Sequence, residues 1–251
     1  MKVIPIASTM YGRGETIEEP DVLWESEGYQ AQDLSEFAGR ACYQSWNRPN
    51  PATSSNKGYL RHILEVDHGS VLEHGSTSFY VEGVSRSLTH ELVRHRHFSY
   101  SQLSQRFVVI RKMVHGQDIP FVVPPLFRAD REAGQILSGA WDYAVHAYQR
   151  LIEIGNQIVG DMEPVTDTSA SKRVREAARA VLPNMTPTAI VVTGNHRAWR
   201  EFLVKRGSLQ ADAEIRLLAI EIFRWLNKAN PNIYQDMGVF NTGEYEWIGK
   251  I

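Results

Sequence analysis

Apolar residues recur every three or four positions along most of the second half of the chain, a spacing that places them on one face of an α-helix. The longest run covers residues 131–159 and includes Ala144 and Leu151. Similar runs predict helices at residues 32–45, 170–182, 196–206 and 211–229, and a shorter helix after residue 55 that stops near His68. In the first of these, Leu34, Phe37, Ala38 and Ala41 are expected to face inward, and Gly207 is placed to cap the helix at 196–206.

The patterns that predict strands are shorter than those that predict helices. Alternating or β-branched positions predict strands at residues 3–7, 76–82, 106–114, 119–123 and 188–193, while residues 241–251 fit either a tail or an edge strand. Gly83 is expected to end the second strand. Val84, Leu88 and Leu92 then predict a helix with His95 on its inward edge. We expect one α+β domain over residues 1–251, with a mixed or antiparallel sheet and a layer of helices.

Composition narrows the class of protein. The chain has 251 residues, 43% hydrophobic and 22% charged, as in folded globular proteins. Its formal charge of −2 argues against a protein that is basic as a whole, as many nucleic-acid-binding proteins are. No run approaches the roughly 20 apolar residues of a membrane helix, and the first residues carry no signal-peptide pattern. We therefore expect a cytoplasmic protein that does not bind membranes.

The sequence gives little support for a metal site or a disulfide bond. The single cysteine, Cys42, excludes an internal disulfide, and its apolar neighbours in a predicted helix suggest that it packs as a small buried residue. The segment HELVRH at 90–95 is similar to a zinc-protease motif. Its two histidines, however, are five positions apart, which is about 140° around a helix, so they do not share a face. We expect no metal site.

Charge is concentrated in two segments. Residues 15–39 hold eight acids and no Lys or Arg, whereas residues 86–112 hold six cations against one acid, Glu91. Six of the nine histidines lie between residues 62 and 97. A basic, histidine-rich segment suggests an anionic ligand, and the alternative is a solvated charged face. Within it, Ser104 and Arg106 suit a phosphate, and Phe98 and Tyr100 could stack on a flat ring.

The usual nucleotide and hydrolase motifs are missing. The sequence has no GxxxxGK[ST], no strand-linked GxGxxG and no GxSxG. A flavin or nucleotide would therefore bind at a non-Rossmann site.

The segment RHRHFSYSQLSQR at 94–106 closely resembles the signature of the flavin-dependent thymidylate synthases: RHR, seven residues, Ser, one residue, Arg. Other segments resemble the same family in the expected order: FAGRACYQSW at 37–46, HGSVLEH at 68–74, ARAVLP at 178–183, VVTGNHRAWREF at 191–202 and VKRGSLQADAEI at 204–215. The similarity runs from about residue 34 to 226.

This resemblance implies a function. Members of the family make dTMP from dUMP, with methylenetetrahydrofolate as the carbon donor and a hydride from reduced FAD, which NADPH regenerates. FAD is held non-covalently, and the enzymes are homotetramers whose active sites combine several subunits. No cysteine nucleophile is needed, because a cationic group at uracil N3 stabilises the charge that develops on the ring.

The resemblance also implies roles for individual residues. Arg206 would be the catalytic residue and would favour the N3-ionised uracil. The substrate dUMP would be bound by Glu91, Arg94, Gln102, Leu103, Ser104, Gln105, Arg106, Arg179 and Arg206. FAD would be bound by His68, Ser70, Arg94, His95, Arg96, Gln102, Asn195, His196, Arg197 and Glu201, with His68 also near the folate and Ser70 acting from a neighbouring subunit.

Three positions depart from the family pattern. Gln210 stands where many relatives carry His, Glu201 where they carry Asn or His, and Phe107 where Tyr is common. A carboxylate at 201 would disfavour an anionic reduced flavin unless an arginine such as Arg197 or Arg200 pairs with it. Two other functions stay open: a catalytically weakened relative that binds dUMP without turnover, and a nucleic-acid-binding module that uses residues 86–112.

Overall fold

A computed structural model describes residues 1–12, 30–47, 50–109, 121–160, 167–243 and 245–251. These residues form seven α-helices and six strands. The helices are α1 (Ala31–Tyr43), α2 (Asn56–Glu65), α3 (Arg86–Leu92), α4 (Arg131–Gly160), α5 (Asp167–Ala178), α6 (His196–Arg206) and α7 (Ala213–Ala229). The strands are β1 (Lys2–Ser8), β2 (Ser76–Ser85), β3 (Phe98–Gln102), β4 (Pro187–Asn195), β5 (Met237–Asn241) and β6 (Glu246–Lys250). The predicted α+β class is confirmed.

The strands form two sheets. Four of them lie in the order β1-β2-β4-β3, and β5 pairs with β6 as an antiparallel hairpin. The hairpin resolves the choice left open for residues 241–251 in favour of a strand. The chain divides into two compact units, one of residues 1–2, 81–94 and 101–190, the other of residues 3–80, 95–100 and 191–251. The single domain over residues 1–251 stays a prediction.

The first unit is built on the long helix α4. Trp141 and Tyr148 on its inner face are buried together with Ala178 of α5. Leu103 and Phe121 pack against this cluster. The buried positions Trp141, Ala144 and Tyr148 repeat every three or four residues, as predicted, but Leu151 of the predicted stripe is exposed.

The second unit has an aromatic centre. Phe79, Trp199 and Phe202 are fully buried, and Phe98 is nearly so. The Phe98 and Trp199 ring centroids are 4.4 Å apart, and the Trp199 indole N–H donates to the Thr77 carbonyl oxygen at 3.1 Å. Trp199 and Phe202, three positions apart on α6, are therefore core residues. Phe98, however, was expected to stack on a ligand and instead packs in this core.

Several boundaries differ from the sequence prediction. Strand β2 continues through Gly83, which adopts a φ of +71° that a residue with a side chain rarely takes. Helix α3 therefore begins only at Arg86, capped by the Ser85 hydroxyl, and ends at Leu92, so His95 lies outside it. Residues 106–109 and 121–123 are not strands, and residues 110–120 fall outside the described part of the chain.

Helix α1 buries its polar face. The side chains of Glu36 and Arg40 are 0% and 2% exposed and form an ion pair with Nε and Oε1 2.7 Å apart. Arg40 also donates to the carbonyl oxygens of Ser45 and Thr53. The inward apolar face expected for this helix is therefore wrong, and so is the buried Cys42, which is exposed. The additional hydrogen bonds to Ser45 and Thr53 help to offset the free-energy cost of removing the Glu36–Arg40 ion pair from water.

Candidate active site

The Arg94–Arg96 segment lies between helix α3 and strand β3. Arg94 and Arg96 are exposed, whereas His95 is half-buried. Directly after them, Phe98 is anchored in the aromatic centre, and the Tyr100 hydroxyl donates to the His95 carbonyl oxygen at 2.8 Å. The segment is therefore fixed from its C-terminal side.

His95 contacts Arg206, the residue expected to be catalytic. The Arg206 Nε–H donates to His95 Nε2 at 3.0 Å, although the two residues are 111 positions apart. The His95 ring also packs edge-on against Phe202, with centroids 5.3 Å apart. Burial, and then the positive charge of Arg206, lower the pKa of His95 below its usual value. The imidazole is therefore neutral at pH 7, as an acceptor nitrogen requires.

An open pocket of about 270 Å³ lies at the N-terminus of α6. Its lining consists of Glu73, His97, Asn195, Arg197, Ala198 and Glu201. The structure thus brings together three residues expected to bind FAD, namely Asn195, Arg197 and Glu201. Asn195 caps the helix, its side-chain oxygen accepting from the Ala198 N–H at 2.8 Å. Helix N-termini favour anionic ligands.

Sequence reasoning missed Glu73 and His97 in this pocket. Both residues lie in segments that resemble the family: Glu73 belongs to HGSVLEH, and His97 directly follows the RHR triplet. Arg197 NH1 lies 2.5 Å from Glu73 Oε1. A side chain on Gly69 would come within 3.3 Å of Arg197 Nε, so the HGSVLE turn lies close against this arginine. His68 and Ser70 of the same turn are exposed.

Glu201 is paired, but not with the arginines that were expected. Its carboxylate lies 2.5 Å from Lys205 Nζ, and this hydrogen bond lowers the pKa of Glu201. Arg200 instead binds both carboxylate oxygens of Asp236 at 2.7 Å, and Arg197 pairs with Glu73. The expected compensation of the Glu201 charge therefore comes from a lysine one turn further along α6.

His196 points away from the pocket. Its ring is 0% exposed, its Nδ1 lies 2.9 Å from the Tyr234 hydroxyl, and its Nε2 is buried without a hydrogen-bond partner. Its backbone N–H donates to the Gly75 carbonyl oxygen. Burial lowers the pKa of His196 to about 4. Both the ring and the backbone N–H are thus engaged inside the protein. The expected contact of His196 with FAD stays a prediction.

The segment from Gln102 to Arg106 lies in the first unit and is held in a fixed turn. The Gln102 amide donates to the Thr89 hydroxyl at 3.0 Å, and the Leu103 N–H donates to the Ala189 carbonyl oxygen at 2.9 Å. The Ser104 hydroxyl oxygen accepts from the Arg106 N–H at 3.3 Å. The local hydrogen bonds thus occupy the backbone and leave a hydroxyl and a guanidinium on one turn.

Further groups of the predicted phosphate site lie in the same unit. Arg106 forms an ion pair with Glu176 at 2.7 Å, and both side chains are more than a third exposed. Gln105 and Glu91 are half-buried. An anionic ligand would compete with Glu176 for Arg106, and such an exposed ion pair is worth little.

Arg179, which was expected to bind dUMP, lies close to Arg86, a residue to which sequence reasoning assigned no role. Both are half-buried, and burial together with the charge of Arg179 lowers the pKa of Arg86. Backbone hydrogen bonds from Arg86 to Thr186 and from Ser87 to Asn184 hold the two segments together. Within the described ranges neither guanidinium has an acidic partner. This pairing suits an anion that sits between the two guanidinium groups.

Over the described residues, no three His, Cys, Asp or Glu side chains converge as metal ligands. In the same part of the chain, no helix has the length and apolar character needed to cross a membrane.

The sequence was compared with known proteins. The family model of the thymidylate synthase complementing proteins matches residues 26–232. A flavin-dependent thymidylate synthase of Mycobacterium sp. strain JLS is 49% identical over 239 residues, which cover 94% of this chain and 91% of the relative. A protein of the same name from Mycobacterium tuberculosis strain ATCC 25177 is 48% identical over 235 residues, covering 94% and 91% of the two chains. The chain is an enzyme and belongs to the family of flavin-dependent thymidylate synthases.

Proposed function

We propose that this enzyme converts dUMP to dTMP by reductive methylation, with methylenetetrahydrofolate as carbon donor, NADPH as electron donor and FAD as non-covalent cofactor. One methylene carbon and one hydride together replace the C5 proton of uracil by a methyl group. The observation that carries the proposal is the Arg206–His95 hydrogen bond, which ties the expected catalytic cation to the RHR signature. The reaction draws on nucleotide and folate pools of the cytoplasm, where we expect the enzyme to act.

The pocket at the start of α6 suits part of a flavin dinucleotide. Arg197, His97 and the helix N-terminus offer donors to phosphate or to ring oxygens, and the nearby acids are already paired with Arg197 and Lys205. Its volume of about 270 Å³ is too small to enclose a whole dinucleotide. When bound, FAD supplies the hydride. Residues assigned to hold it are His68, Ser70, Arg94, His95, Arg96, Gln102, Asn195, His196, Arg197 and Glu201.

The dUMP phosphate is assigned to the turn at Ser104 and Arg106 and to Arg179. A hydroxyl and a forked guanidinium on one rigid turn match the oxygens of a phosphate monoester. Glu91, Arg94, Gln102, Leu103 and Gln105 complete the assigned substrate site. In the first unit, the pairing of Arg179 with Arg86 supplies additional positive charge.

Arg206 is assigned to the uracil ring. A guanidinium beside N3 and its neighbouring carbonyl oxygens stabilises the ring anion, which makes C5 more nucleophilic without a covalent bond to the enzyme. This role needs a charged donor held in one orientation, and the contact with His95 supports it. Cys42 is assigned no part in the chemistry, because it lies exposed on α1.

We infer a homotetramer for this enzyme. Helix α4 carries an exposed apolar stripe formed by Ile136, Tyr143, Leu151, Ile154 and Ile158, which fall within about 80° on the helix. Such a stripe on a 30-residue helix is costly in water and suits contact with another subunit. Light scattering should give four chains per particle, and Ile154→Glu should give smaller particles, whereas a monomeric wild type would contradict the inference.

The activity is tested by direct detection of dTMP. Purified enzyme is incubated with dUMP, methylenetetrahydrofolate, NADPH and FAD, and each component is left out in turn. We expect dTMP only in the complete mixture. Binding of dUMP without dTMP formation would indicate the weakened relative, and salt-sensitive binding of oligonucleotides without any flavin would indicate the nucleic-acid-binding module.

A further inference from the structure

The contact between His95 and Arg206 joins two parts of the site that lie far apart in sequence. Arg206 is the last residue of α6, and its Nε donates to His95 Nε2 at 3.0 Å. His95 is itself held on two sides, by the edge-on ring of Phe202 and by the Tyr100 hydroxyl on its carbonyl oxygen. The acceptor therefore has little freedom to move.

This hydrogen bond depends on the protonation state of the imidazole. Nε2 accepts only when it carries no proton, so the ring proton sits on Nδ1. Protonation would turn the acceptor into a donor and place a second cation against Arg206. Three charged groups act on the ring, Arg206, Lys205 and Glu201, all from α6. The Tyr100 phenol of β3 bonds the His95 backbone carbonyl oxygen. Lys205 and Glu201 pair with each other, which leaves Arg206 as the dominant charge.

We propose that neutral His95 is the positioning residue that sets the plane of the Arg206 guanidinium for the uracil ring. A guanidinium recognises a planar anion only when the two planes are aligned, and arginine side chains are otherwise free to rotate. Fixing Nε fixes this plane. The inference rests on the proposed function of Arg206, and it gives His95 a second role in addition to a contact with FAD.

The hydrogen bond itself is tested without cofactor or turnover. Nitrogen NMR of the ligand-free protein, with His95 assigned through His95→Gln, should show the tautomer with the proton on Nδ1 and a titration below pH 6.5. Arg206→Gln removes the neighbouring cation, so the His95 titration should move upward. A His95 that titrates near 6.5 in the wild type and does not respond to Arg206→Gln would overturn the proposal.

The positioning role is tested by two substitutions. Glutamine can present an acceptor oxygen near the Nε2 position, whereas methionine has similar bulk and no such acceptor. His95→Met should lower kcat about ten- to hundredfold more than His95→Gln, the loss expected for a hydrogen bond to a charged group. The acid side of the kcat profile should also disappear in His95→Gln. Equal kcat values, or an unchanged acid side, would contradict a positioning role.

Failure of the proposed function would look different. The wild-type enzyme would then make no dTMP at all, while the NMR titration of His95 would still report on its bond to Arg206. If His95→Met does not fold, the titration shift and the pH profile of His95→Gln decide the question by themselves.

Discussion

Acid should destabilise this protein through one buried side chain, His196. Its ring is fully buried, and charging it would leave an N–H on Nε2 without an acceptor in the core. Burial lowers its pKa to about 4, whereas an unfolded chain has the ordinary value near 6.5. Between these values the unfolded state binds more protons than the folded state, so stability falls as the pH falls.

The size of the effect follows from the two pKa values. Linkage gives a loss of about 2 kcal/mol between pH 7 and pH 5, and about 3 kcal/mol at pH 4. His95, whose pKa is also lowered by burial, adds in the same direction. The carboxyl of Asp236 is half-buried, and although burial raises its pKa, Arg200 lowers it by more, so the net pKa is lowered. Its contribution to stability is lost only as the pH falls to and below the ordinary Asp value of about 3.9, at the acid limit of this range.

The assay is urea unfolding at a series of pH values from 7 to 4, compared with His196→Asn. Asparagine places an amide near the Nδ1 position and does not titrate, so it can still reach the Tyr234 hydroxyl. The variant should be less stable at pH 7 because of the lost ring volume, but its stability should fall less with acid. His146→Asn, which removes an exposed histidine of α4, is the matched control. Parallel curves for wild type and His196→Asn would refute the reasoning.

Three further outcomes follow from the structure. Arg206→Lys keeps the positive charge but loses the Nε donor to His95, so turnover should fall far more than FAD affinity. Steady-state assays measure the turnover and flavin titration measures the affinity. Normal turnover in this variant would show that Arg206 has no part in the mechanism. Cys42→Ser should leave dTMP formation intact because the thiol is exposed and outside the site, and a folded but inactive variant would revive a covalent mechanism. Arg40→Met leaves the buried Glu36 carboxylate without its cation and should cost about 3–5 kcal/mol in unfolding free energy, whereas a loss under about 1 kcal/mol would show that this pair contributes little.

Local sequence patterns predicted the helices well. The apolar periodicity of residues 131–159 and 211–229 corresponds to α4 and α7 within a few residues. Helix α7 buries its apolar stripe along most of its length, whereas α4 buries only Trp141, Ala144 and Tyr148. Strand β3 was missed since only Phe98 of its five residues is buried. Its pairing is decided by β4, almost 90 residues further along the chain, and no local pattern carries that information.

Helix α1 shows where periodicity misleads. Its apolar positions, such as Leu34 and Phe37, are only half-buried, while Glu36 and Arg40 are inside. The reason is a network of long-range partners: the Asn56 amide donates to Glu36 and to the Gln32 carbonyl oxygen in the interior. A hydrophobicity pattern assigns such residues to the surface, because it carries no information on the hydrogen-bond partners that offset the cost of burying them.

The candidate site was predictable in its residue types and not in its contacts. The signature at 94–106 includes His95, which contacts Arg206, and three of the ten assigned cofactor residues line one pocket. The partner of Glu201 was wrong because several cations lie within one turn of it, and geometry alone selects Lys205. The Arg206–His95 contact joins residues 111 positions apart, so it could be identified only from the folded structure.

The most direct test of the central claim is the visible absorption spectrum of the purified protein with FAD, recorded before and after dUMP is added. We predict an oxidised-flavin spectrum that dUMP perturbs, because Arg94 and Gln102 are assigned to both ligands. The same titration in the Arg106→Ala variant, which loses the expected phosphate contact, should need much more dUMP. A protein that binds no flavin under any condition would contradict the proposed function.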